Sequence, residues 1–246
     1  MGAETLGLPR TLAAQATGRF PRRLMNAPAD THQADITVYA NILDEIRTRI
    51  RGMNTIVLGT RSLPTWISAE LCYVQLRMLC ELVALGCLLA HGNIEASKGK
   101  KLQKEYAADD IFTRLEQLHP NFYPHPITCT FSPGSLHIER VESGYLTKEE
   151  LVALYHECGD HLHRGSLSRI FHANKPKQPP TVERALSWGM KFTNLLSQHH
   201  IASNTNQKHF LGFLSHHQAN GNAYVAIAQS PELDKNLQSS EAGRAT

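Results

Sequence analysis

Cysteine is scarce. Five occur in 246 residues, an odd number, and no two form a Cys-x-x-Cys pair. That excludes a small disulfide scaffold and points to reduced thiols in a reducing compartment, the cytoplasm. Charge of one sign is also missing. Lys and Arg total 25 against 22 Asp and Glu, a formal net charge of +3. A dedicated duplex-DNA binder usually carries a stronger, clustered basic excess, so nucleic acid is permitted as a partner but not indicated. Long apolar runs are missing too. The most hydrophobic window, Met78–Ala90, is short and contains Glu81. A membrane span needs roughly 20 mostly apolar residues, so this window reads as a buried core helix and no membrane is expected.

The usual signatures of catalysis are absent. The chain has no G-x-S-x-G, no phosphate-cradling G-x-x-x-x-G-K-[ST], no H-E-x-x-H and no G-x-G-x-x-G. It also lacks the strand–helix alternation of a dinucleotide fold. No cofactor is expected, and whether a metal binds stays open. Residues 1–30 hold four arginines but no apolar core of signal-peptide length, so no targeting segment is expected.

The apolar content of 41% is that of a globular protein, not a disordered one. Its pattern is mainly helical. Ile36, Tyr39, Leu43, Ile46, Ile50, Met53 and Val57 recur at three- and four-residue steps and predict a helix from about His32 to Leu58. A second helix runs from about Pro64 to His91. It is apolar almost all round and should be central. Further helices fit Asp109–Leu118, Thr147 to about His163, and Thr181 to about His200. The fourth of these opens on Thr147-x-x-Glu150, a capping box. Two β-hairpins are expected, one over 127–141 around Ser132-Pro133-Gly134-Ser135 and one over 209–229 around Asn220-Gly221. The hairpins are expected to join in one small antiparallel sheet. The reading is thus mainly α (α+β): a helical bundle around a long central helix. It divides into an irregular segment (1–31), one domain (32–230) and a disordered tail (231–246).

Histidine is abundant, with 14 residues. Most fall at positions that read as loops, helix ends or solvated faces. Three groups carry a chemical argument. At 100° per residue, His156, Asp160 and His163 lie within about 60° of one another on a helix. Such a face suits a metal, or an imidazole oriented by a carboxylate for acid–base work, although a face opposite an apolar stripe is ordinarily solvent. On the central helix, Glu70, Arg77 and Glu81 form one polar stripe. It reads either as a site for a phosphate or carboxylate or, preferably, as a paired network that docks neighbouring helices. Lys98, Lys100, Lys101, Arg164, Lys175 and Lys177 form basic loops, which are most often plain surface.

A helical bundle with an Arg/His face resembles, in architecture, the HEPN group of helical proteins. Its ribonuclease members carry Arg-x4–6-His, usually with a polar residue after the Arg. The chain has one match, Arg114 to His119, with Leu115 after the Arg and Pro120 after the His. Roughly two to three matches are expected by chance from this composition, so the resemblance implies architecture and no activity.

The first expectation is therefore a non-enzymatic binding or assembly module, with a protein or a second copy as partner. The second is a hydrolase, metal-dependent or ribonuclease-like, using His156, Asp160 and His163 with Arg77 assisting. The third is a nucleic-acid-binding accessory.

Overall fold

The computed structural model describes residues 29–59, 63–91, 107–119, 121–132, 135–162, 180–202 and 209–228. The fold is mainly helical α+β. Among the described residues five α-helices, α1 (Ala29–Leu58), α2 (Thr65–Ala90), α3 (Ala108–Leu118), α4 (Lys148–Leu162) and α5 (Val182–Leu196), accompany five strands. These are β1 (His125–Ser132), β2 (Ser135–Arg140), β3 (Gln198–Ala202), β4 (His209–Phe213) and β5 (Tyr224–Ala228).

α2 is the central helix. It packs against the other four helices and touches β3. Cys72, Tyr73, Leu76, Leu79 and Cys80 are fully buried in the main core. Each fully buried leucine there contributes about 2 kcal/mol. By length and mean hydropathy (1.6) α2 passes the test for a membrane-crossing helix, but 56% of the tested window is buried inside the protein. α1 supplies Tyr39, Leu43, Ile46 and Met53 to the same core, the face that its period predicts.

Local signals act as expected at several element ends. Thr147 and Glu150 form the reciprocal capping box: the Glu150 N–H donates to Thr147 Oγ1 and the Thr147 N–H to Glu150 Oε2, both at 3.2 Å. Lys191 of α5 also donates to Glu150 and holds its carboxyl below the usual range. Thr147→Ala is expected to cost about 1 kcal/mol, read as a lower urea midpoint. Asn220 and Gly221 both adopt positive φ (52° and 80°), as the turn requires. Arg47 of α1 clamps that loop, donating to the Gly221 carbonyl and to Asn222 Oδ1. The Ala223 N–H in turn donates to Asp44 Oδ1 at 2.9 Å.

The sheet corrects one expectation. α5 ends at Leu196, not near His200, and residues 198–202 form strand β3. The strand order is β2-β1-β3-β4-β5, all antiparallel. The two predicted hairpins do share one sheet, but only because β3 bridges them. His125 of β1 pairs with His200, and Gln198–Ala202 pairs with His209–Phe213. The register gives the sheet two distinct faces. Ile201, Phe210 and Val225 join the helical core, while Ile127, Leu211 and Phe213 form a second, small cluster on the other face.

Candidate functional site

The polar stripe of α2 and the histidine face meet at α4. Arg77 stacks over the Tyr155 ring, 4.1 Å from its centroid, and its Nη2 donates to the Tyr155 hydroxyl at 2.8 Å. Its Nε lies 3.4 Å from Glu81 Oε1. Gly159, one turn on from Tyr155, makes this approach feasible: a Cβ there would sit 3.3 Å from Arg77 Nη1. The guanidinium is thus held between its own helix and α4, and Glu70 is half-buried further along.

His156 is more open, its ring edge-on to that of Tyr155 with centroids 5.9 Å apart. Its side chain is 62% exposed, with Nε2 3.6 Å from Asp109 Oδ2 of α3. Asp160 is exposed, and His163 lies outside the described residues. So do the basic positions Lys98, Lys100, Lys101, Arg164, Lys175 and Lys177. Among the described residues, no group of three or more His, Cys, Asp or Glu is arranged to hold a metal ion. All five cysteines are free. Burial pushes the Cys129 and Cys158 thiols up to about 12 and raises those of Cys72, Cys80 and Cys87 as well. Thiols held protonated are poor nucleophiles and poor ligands.

The strongest polar cluster is one that sequence reasoning passed over. Glu157, off the His156 face, receives the guanidinium of Arg184 from α5 through two hydrogen bonds of 2.7 Å. It also accepts from the Tyr73 hydroxyl of α2 at 2.7 Å. His161 packs edge-on against the Tyr73 ring, with centroids 4.6 Å apart, and reaches Glu157 at 3.8 Å. The hydrogen bonds from Arg184, helped by that from Tyr73, hold the Glu157 carboxyl below its usual range. Bidentate pairing of this kind fixes geometry as well as charge. Here it locks α2, α4 and α5 together. Tyr73→Phe is expected to cost about 1 kcal/mol by deleting one partly buried hydrogen bond, measured by urea unfolding.

The histidines also need correcting. His91, His119, His199, His200 and His209 are buried, not solvated. His199 lies beneath β4. Its Nδ1 donates to the Leu196 carbonyl at 3.1 Å, which leaves Nε2 to accept from the Tyr39 hydroxyl at 2.6 Å. His200 Nε2 and His209 Nδ1 share a hydrogen bond of 2.8 Å, their rings stacked at 5.0 Å. His91 closes α2 by donating from Nδ1 to the Cys87 carbonyl at 2.7 Å. Burial lowers the pKa of His91 and His199 to about 4. Burial, with the charges of His209, His125, Arg140 and His199, lowers that of His200 to about 3. These rings are neutral packing elements at neutral pH. A strand's alternation buries adjacent histidines on opposite faces, a placement that helical geometry does not suggest.

The remaining exception to ordinary packing is apolar. The central helix leaves Leu71, Val74 and Leu85 at 38%, 39% and 36% exposure, and Trp66 near its start at 53%. Comparison with protein-family models, with curated proteins and with solved structures returns no match.

Proposed function

We propose that the chain is a non-enzymatic binding or assembly module that engages its partner through the exposed apolar stripe of α2. The observation behind this reading is the placement of Leu71, Val74 and Leu85. They lie on the helix that contributes most to the core, yet more than a third of each faces solvent. Apolar side chains left exposed along one helix face are the kind of surface that interaction sites use. The polar groups fit the same reading: Arg77 and Glu157 join helices, Arg77 keeping 29% side-chain exposure, and the thiols are held protonated. Buried reduced cysteines also support the cytoplasm as the compartment.

A photocrosslinking residue at Val74 tests this in the full chain, with one at exposed Glu183 of α5 as control. Adducts are expected from position 74 and not from 183, and Leu71→Glu should abolish them. Absence of adducts at 74, or equal yields at both positions, would defeat the reading.

A second reading, hydrolysis on the α4 face, is favoured by one observation, the imidazole of His156 beside the Asp109 carboxylate. It requires RNA cleavage or bound zinc in the purified protein, lost in His156→Ala with the fold intact. Neither in wild type would end it.

A further inference from the structure

The exposed stripe has a period that restricts its partner, and the following step rests on the binding-module reading. Ile67, Leu71, Val74, Met78, Glu81 and Leu85 recur at alternating steps of four and three. That is a 3.5-residue period, the spacing that keeps one stripe facing a single neighbouring helix. The stripe lies between two lines of contact within the chain. On one side α1 touches α2: Arg49 Nη1 donates to Gln75 at 2.9 Å, and a Cβ at Gly86 would meet the Tyr39 ring at 2.8 Å. On the other side Arg77 lies on Tyr155 of α4. At 100° per residue these contact lines fall about 90° to either side of the stripe.

The occupant that fits is a helix with an apolar seam of the same period. Among the described residues, the exposed large apolar side chains away from this region are Val38, Leu58 and Met190, which form no such stripe. Among the described residues only α2 presents the complementary seam, and a two-fold pair of α2 helices is self-complementary. Charge selects the direction. With the helices antiparallel and Leu71 facing Val74 of the second copy, Ile67 faces Met78 of the second copy. Glu70 then falls beside Arg77 of the second copy, and the pairing repeats across the axis. A parallel pair would set Glu70 beside Gln75 and Arg77 beside Leu82, with no charge match. The antiparallel register also places Glu81, the one acid in the stripe, opposite Pro64 of the second copy. There the unsatisfied N–H groups opening α2 favour a carboxylate.

We propose that α2 pairs antiparallel with α2 of a second copy, with Leu71 against Val74 and Glu70 against Arg77 across the two-fold axis. Sedimentation of the full chain from nanomolar to tens of micromolar concentration tests it. The expected result is a species of twice 27.4 kDa that dissociates on dilution. Val74→Glu should leave only the single chain. Glu70→Arg should weaken association at least about tenfold by opposing like charges. A mass of 27.4 kDa at every concentration overturns the proposal, as does a dimer indifferent to Val74→Glu. A dimer indifferent to Glu70→Arg overturns the register. Should Val74→Glu fail to fold by circular dichroism, Glu70→Arg decides. Crosslinks from Val74 to a different protein, with the chain itself a monomer, would sink the second copy and keep the binding-module reading. No crosslink of any kind would sink both.

Discussion

Lowering the pH from about 7.5 to about 5 is expected to remove about 6 kcal/mol of folding stability. Three buried histidines produce the effect. His91, His199 and His200 have folded pKa values of about 4, about 4 and about 3, against 6.5 for the free side chain. Because the folded values are the lower ones, the unfolded chain binds more protons between these limits. The stability is therefore fully present above pH 6.5 and lost as the pH falls toward 4 and then 3. At pH 5 each ring contributes about 2 kcal/mol of that loss, and whole domains are stable by only about 5–15 kcal/mol. Glu150 and Glu157 are also depressed, in the same direction but in a lower window. Their contribution is present above their ordinary value of 4.5 and fails only below it, so it does not overlap the upper part of the histidine window. Urea titrations at a series of pH values are the measurement. The midpoint should fall steeply between pH 6.5 and 5, and His200→Gln should remove about a third of the pH dependence. A midpoint that is flat over that interval would show that these rings are solvated.

Gly212→Ala is expected to destabilise the protein by about 3 kcal/mol, at the upper end for a single added methyl group. Gly212 of β4 pairs directly with His199 of β3, and the imidazole lies over it. A Cβ at this position would sit 2.3 Å from His199 Cε1 and 2.4 Å from Nε2, far inside van der Waals contact. The ring cannot swing aside without losing the Tyr39 hydroxyl and the Leu196 carbonyl, its two hydrogen-bond partners. Either loss would strand a buried polar group. Equilibrium unfolding of the variant gives the number directly, and a cost under about 1 kcal/mol would mean that the strand shifts freely. The double variant His199→Ala/Gly212→Ala separates clash from other effects. Its cost should fall short of the sum of the singles by more than about 1 kcal/mol, because removing the ring removes the collision.

Both expectations rest on residues whose role was hard to read in advance, and the reasons are physical. The α1 and α2 helices, the capping box at Thr147 and the turn at Asn220-Gly221 depend on local period and local backbone preference. Those are properties of consecutive residues, and the structure places them as read. β3 is different. The five residues Gln198–Ala202 carry two histidines and no clear alternation, and they directly follow an amphipathic helix. They become a strand because β1 and β4, more than 60 and about 10 residues away along the chain, satisfy their backbone groups. Glu157 gave no signal in the sequence for the same kind of reason. Its importance comes from Tyr73 and Arg184, brought in from two other helices.

Composition and period alone thus determined a mainly helical α+β domain, with α2 at its centre and two hairpins beside it. They also determined the absence of familiar catalytic motifs, because such signatures are short and contiguous. The helix face carrying His156 was legible as a face and as one that is ordinarily solvent, and His156 is exposed. Burial is a property of neighbours, and so is the fate of a charge or an imidazole. Folding assigned Arg77 to Tyr155, buried His199 against Tyr39 some 160 residues away, and left Leu71 and Val74 in the open. The abundance of histidine, which reads as surface chemistry one residue at a time, became in part an acid-sensitive core once the strands had paired.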